Sequence, residues 1–148
     1  MIYADMSSQF PKGIPSIWFV HRREYLETYS DSLNDLHQRL TRVSGVNNLI
    51  SIKQAVELLN ELYGCAEAMV DTLANYEEPL ASHYNSYKLK ELRRIQELSL
   101  STSSQLSVVA KQIGWGMPFD RQLTQAKRNL YPLMKLVDET LSWLKQAS

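Results

Sequence analysis

From Ser16 onward the apolar positions recur three and four residues apart almost to the end of the chain. The first run is Leu26, Tyr29, Leu33, Leu36, Leu40 and Val43, a heptad seam that Trp18 or Phe19 extends upstream. At 3.6 residues per turn such spacing lays apolar side chains along one stripe of an α-helix. It predicts a helix over about 16–43, capped by Ser16 and stopped by Ser44-Gly45. A second set, Ala55, Val56, Leu59, Leu62, Tyr63, Ala66, Met69, Val70 and Leu73, makes a wider face. It predicts a helix over about 51–76 packed against two neighbours, with Ser51 as its N-cap.

The third stripe reads Tyr84, Tyr87, Glu91 or Leu92, Ile95, Leu98, Thr102, Leu106, Val109 and Ile113, a helix over about 79–113. Pro79 suits its first turn, where the missing N–H costs nothing, and Glu77 and Glu78 suit the positive end of its dipole. The fourth is Leu123, Ala126, Leu130, Leu133, Val137, Leu141 and Leu144, a helix over about 118–146 opened by Pro118. No segment alternates with period two for long enough to predict a sheet. The expectation is an all-α fold: an antiparallel up-down-up-down four-helix bundle with long helices, one domain over 1–148. Pro11, Gly13 and Pro15 make residues 1–15 an irregular N-terminal arm, apolar enough to pack on the bundle or on a second copy.

Four interruptions carry most of the remaining information. Gly64 sits inside the second helix at a cost of about 1 kcal/mol relative to alanine, which close approach of a neighbouring helix would explain. The stretch "SLSTSSQLS" is poor in helix propensity because serine hydroxyls compete for backbone groups, so distortion or fraying is expected there. Pro132 removes one hydrogen bond from the fourth helix. Antiparallel register brings its surroundings level with those serines, so Ser99, Thr102, Ser103, Leu130 and Met134 are candidates to line a polar pocket or to pack closely. Last, "QIGWGMPFD" reads as a corner: Gly114 closes the third helix in a left-handed conformation and Trp115 folds back as an apolar plug.

Composition changes this picture only at its edges. Hydrophobic content of 44% and charged content of 22% suit a folded globular chain. The longest uninterrupted apolar run, Ile17 to Val20, is far short of a membrane span, and no signal peptide is visible. The single cysteine, Cys65, fits a reduced compartment, so a cytoplasmic location without membrane contact is expected. Net charge is zero, yet residues 1–78 carry 11 acidic and 6 basic side chains, while residues 79–148 carry 5 and 10. The split suggests attraction between neighbouring helices, and it gives the third helix a basic cluster, Lys88, Lys90, Arg93 and Arg94.

Motifs for chemistry are scarce. No Glu-x-x-His occurs, as a di-iron bundle would need, and one cysteine makes no zinc site, so no metal or other cofactor is expected. A histidine on such a bundle invites comparison with phosphotransfer domains, whose histidine is followed by Leu-Lys-Gly. His37 is followed by Gln38, Arg39, Leu40 and Thr41, which departs from that pattern where a small residue makes room for phosphate. His21 and His83 have no nucleophile beside them in sequence, and "GWG" lacks the Gly-Lys-Ser/Thr of a phosphate loop.

The reading that remains is a non-enzymatic protein–protein interaction module: a scaffold, an adaptor or a small subunit of a larger assembly. Its partner would be another protein or a second copy; Tyr25 and Leu100 are candidate interface residues because they lie off the stripes, and Phe10 because the arm carries more apolar residues than a free tail needs. The alternative is an accessory nucleic-acid-binding subunit using Lys88, Lys90, Arg93 and Arg94. A phosphotransfer-like or other small helical enzyme comes third.

Overall fold

A computed structural model describes residues 14–41, 49–75 and 82–147, with side chains for 14–40, 49–75 and 88–146. It contains four helices: α1 (Ser16–Thr41), α2 (Leu49–Asn75), α3 (Ser82–Gly114) and α4 (Asp120–Ala147). Residues 1–13 of the expected arm, with Phe10, the Ser44-Gly45 stop, the Glu77-Glu78-Pro79 start and the side chains of His83, Tyr84 and Tyr87 lie outside the described residues, while Ile14 at the end of the arm packs against the core. Among the described residues there is no strand.

The stripes are where the spacing puts them. Leu26, Leu33, Leu36 and Leu40 of α1 are buried with Leu59, Leu62, Ala66 and Met69 of α2. Ile95, Leu106 and Val109 of α3 join Leu123, Leu130, Leu133 and Val137 of α4 in the same core. Fully burying a leucine is worth about 1.5–3 kcal/mol, so this one seam dominates the stability of the fold.

Cross-helix contacts fix the directions. The Ser30 hydroxyl donates to Asp138 at 2.8 Å, and one level down His37 meets Tyr131 edge-on at 4.7 Å, so α1 and α4 are antiparallel. Lys88 lies over Trp143, and lower down the Asn129 amide donates to Gln105 at 3.0 Å, so α3 and α4 are antiparallel too. Arg39 reaches Gln54, and Ser103 donates to Asn60 at 2.9 Å, which closes the ring through α2. Successive helices therefore alternate in direction, as in an up-down-up-down bundle. The ring is uneven: α2 packs extensively on α3, whereas α1 rests mainly on α4 and touches α2 only sparsely.

Several details depart from expectation. α2 begins at Leu49, so Ser51 lies inside the helix and caps nothing. α3 runs unbroken through its serines; Thr102 turns its hydroxyl back onto the Leu98 carbonyl at 2.6 Å and so satisfies itself inside the helix. Gly64 is not where a neighbouring helix comes close. It is exposed, and a Cβ built there meets nothing within 4 Å.

The corner also differs. Met117 N–H bonds to the Gln112 carbonyl at 2.8 Å and Gly116 N–H to Ile113 at 3.2 Å, the paired bonds of a Schellman stop. The left-handed residue is therefore Gly116, at φ 66°, and not Gly114. Trp115, one residue before the reversal, points outward with 71% of its surface exposed and plugs nothing. Pro118 precedes α4, which starts at Asp120 with the Phe119 carbonyl accepting from Leu123 N–H.

Candidate interaction surface

Of the four cations expected to form one basic patch, the structure keeps three together. Lys90, Arg93 and Arg94 are exposed, at an open groove of about 450 Å³ between α3 and α4 that Glu97 and Leu136 also line. Lys88 is elsewhere. It is buried, its Nζ 3.1 Å from Glu91 Oε1 and 5.5 Å from the centroid of the Trp143 ring. Lys88 falls on the inward side of α3, where its charge is spent on a carboxylate and an aromatic face rather than on a partner. The other Glu91 oxygen has no hydrogen bond among the described residues. Phe19 meets Trp143 at 5.8 Å and Trp18 at 5.0 Å, so this end of the bundle is an aromatic layer around one ion pair.

Glu91 was one of two residues competing for a place on the third stripe, and a lysine three residues before it can reach it on a helix. That spacing is the signal that could have removed Lys88 from the patch.

The serine segment is packed. Ser99, Thr102 and Leu130 have no exposed surface, Ser103 is buried against Asn60, and Met134 is half-buried against the core. Asn129, three residues before Pro132, bonds to Ser101 and Gln105, so the two interruptions do face each other. Small side chains there let α2, α3 and α4 approach. The Ser99 hydroxyl has no hydrogen-bond partner among the described residues.

Titratable chemistry is thin. Cys65 is half-buried at the α1–α2 contact, where burial pushes its thiol up while the charge and hydrogen bond of Arg22 pull the other way. Burial and the neighbouring Cys65, Glu61 and Tyr25 raise the Tyr29 hydroxyl. No group of three His, Cys, Asp or Glu residues that could hold a metal occurs among the described residues, and no described helix is long and apolar enough to cross a membrane. His37 meets the Tyr131 ring edge-on, and His21 lies at the surface 4.0 Å from Glu24.

What the surface does carry is separated charge. Along α2, Glu57, Glu61, Glu67 and Asp71 are exposed; along α3, Lys90, Arg93 and Arg94 are. The two helices are neighbours, yet no ion pair joins them among the described residues; Arg94 pairs with Glu97 of its own helix at 3.2 Å. Between α2 and α3 the expected attraction is therefore not realised as an ion pair among the described residues, whereas between α1 and α4 Lys145 reaches Glu27 at 3.8 Å. Leu100 stands 54% exposed on α3 and Tyr25 58% exposed on α1, whereas Leu58 packs against the core. Comparison of the chain with known protein families, with curated proteins and with solved structures finds no match.

Proposed function

We infer that the chain is a non-catalytic interaction module, a scaffold or small subunit that works through the exposed side of its bundle. The observation that supports this best is the unpaired charge on α2 and α3: Glu57, Glu67, Asp71 and Arg93 are in ion pairs with no described residue, and Leu100 is exposed on the same helix as Arg93. Charges arranged with opposite signs on adjacent strips select and orient a partner more than they tighten it. The test is co-purification of the tagged full chain from native extract, with and without nuclease. Protein partners retained through nuclease at stoichiometric yield are the expected result. An eluate containing the chain alone would remove any reading that needs a different protein.

The groove between α3 and α4 favours a second reading. Lys90, Arg93 and Arg94 along its rim suit a single-stranded nucleic-acid backbone. Binding to an oligonucleotide at low salt that falls steeply as salt rises would support it, and absence of binding at about 20 mM salt would end it.

A further inference from the structure

The α2–α3 face raises a specific question about its partner. Gly64 costs its helix about 1 kcal/mol and, among the described residues, serves no close contact with another helix. An open, outward-facing glycine leaves a notch in a helix surface, and Leu100 is a knob on the helix beside it.

Their heights follow from one bond. α2 and α3 are antiparallel with equal rise, and Ser103 donates to Asn60, so those two residues share a level. Counting up α2 and back along α3, Gly64 shares a level with Leu100 to within one residue. Glu67 then stands level with Gln96, Asp71 with Arg93, and Glu57 with Ser107. At 100° per residue Gly64, Glu67 and Asp71 lie within about 40° of Asn60, and Gln96, Leu100 and Arg93 within about 80° of Ser103 on the outer side. All of them belong to one side of the bundle.

We propose that this side is a two-fold interface with a second copy of the same chain, Leu100 of each copy seated in the Gly64 notch of the other. A two-fold axis parallel to the bundle exchanges left and right but keeps height. It therefore places α2 of one copy against α3 of its partner, level for level. Every residue pair just counted then meets across the interface instead of along it. Acid meets base where Asp71 faces Arg93, Glu67 falls level with the Gln96 amide and with Glu97, whose carboxylate Arg94 of its own helix holds at 3.2 Å, and the apolar knob enters the notch between these levels. Lys53 and Lys111, both exposed, face each other at the lower end and repel, so the contact is centred above them. The strip from Glu57 to Asp71 is about 21 Å long, and two helices side by side are about 20 Å wide. Its footprint, on the order of 400 Å² per copy before side chains interdigitate, lies below the roughly 800 Å² of a standard interface and suits a weak, concentration-dependent dimer.

This inference rests on the interaction-module reading, and sedimentation velocity on the full chain from about 1 to 300 µM separates the two. The expected result is a reversible dimer that weakens with salt. Gly64→Gln fills the notch with a better helix former, so the fold is retained, as thermal melting will show, while the dissociation constant rises at least about tenfold. Arg93→Glu and Asp71→Arg each abolish the homodimer, because each sets like charges opposite one another twice. Mixing these two variants restores a dimer, since both contacts then join opposite charges, as pairing of Asp71 with Arg93 across the two copies predicts. A chain that is monomeric throughout, a dimer indifferent to Gly64→Gln, or a mixture that fails to associate overturns the proposal. A monomer that still retains other proteins through nuclease leaves the interaction module standing and removes only the second copy as its partner.

Discussion

Lys88 and Glu91 show how one residue's surroundings reverse the meaning of its charge. As part of "KLKELRR" Lys88 belongs with its basic neighbours; in the fold its side chain is 6% exposed and held by a carboxylate 9% exposed. A buried pair of this kind adds little net stability, but breaking it strands the survivor. Lys88→Met should therefore cost about 3 kcal/mol in urea denaturation, and Lys88→Met with Glu91→Leu should recover most of that loss. Cys65 gives a second prediction at this scale. The folded chain holds the thiol proton more tightly than the unfolded chain does, so stability is unchanged while both are protonated. It declines as pH rises through the ordinary thiol range towards the raised folded value. Cys65→Ser should flatten the lower part of that alkaline decline in pH-dependent melting, leaving the part due to Tyr29.

Two glycines make opposite predictions for the elements that contain them. Among the described residues, neither Gly64 nor Gly116 has an atom beyond its local backbone within 4 Å of an added Cβ, so space does not distinguish them; backbone conformation does. Gly64→Ala should stabilise α2 by about 1 kcal/mol at dilute concentration. Gly116→Ala forces a side chain into the left-handed region and should destabilise the α3 stop by about 1–2 kcal/mol. Guanidinium titrations of the two variants should shift in opposite directions. The same contrast marks where sequence stopped being informative. Three-four spacing located all four helices, because burial of a stripe is a property of the whole run. Ends were less legible: Leu49 starts α2 two residues before the good cap Ser51, and the Schellman bonds select Gly116 over Gly114. Such choices are made between neighbours of similar propensity, and tertiary packing decides them. The candidate surface was half legible. Leu100 and Arg93 stand out as off-stripe residues, but Gly64 takes on meaning only once its outward direction is known.

At the scale of the molecule the ring of helices is unequal. α2 and α3 share the most extensive contact and α4 joins them, while α1 is held chiefly from one side. Native-state hydrogen exchange should therefore show α1 amides opening at lower free energy than the centres of α3 and α4. An Ala at Leu33, fully buried on α1, should cost about 2–5 kcal/mol and widen that difference, as the same exchange measurement will show.

The dependence of α1 on α4 also sets a delay at birth. The first helix leaves the ribosome about 100 residues before the segment that will cover most of its apolar seam, and at about 5–20 residues per second it waits on the order of 5–20 s. During that interval Leu26, Leu33 and Leu40 have only α2 to lean on, a contact that is sparse even in the finished molecule. Until α4 is made, the apolar seam of α1 stays largely open. A truncation that removes α4 should leave a helix that sticks to whatever is nearest.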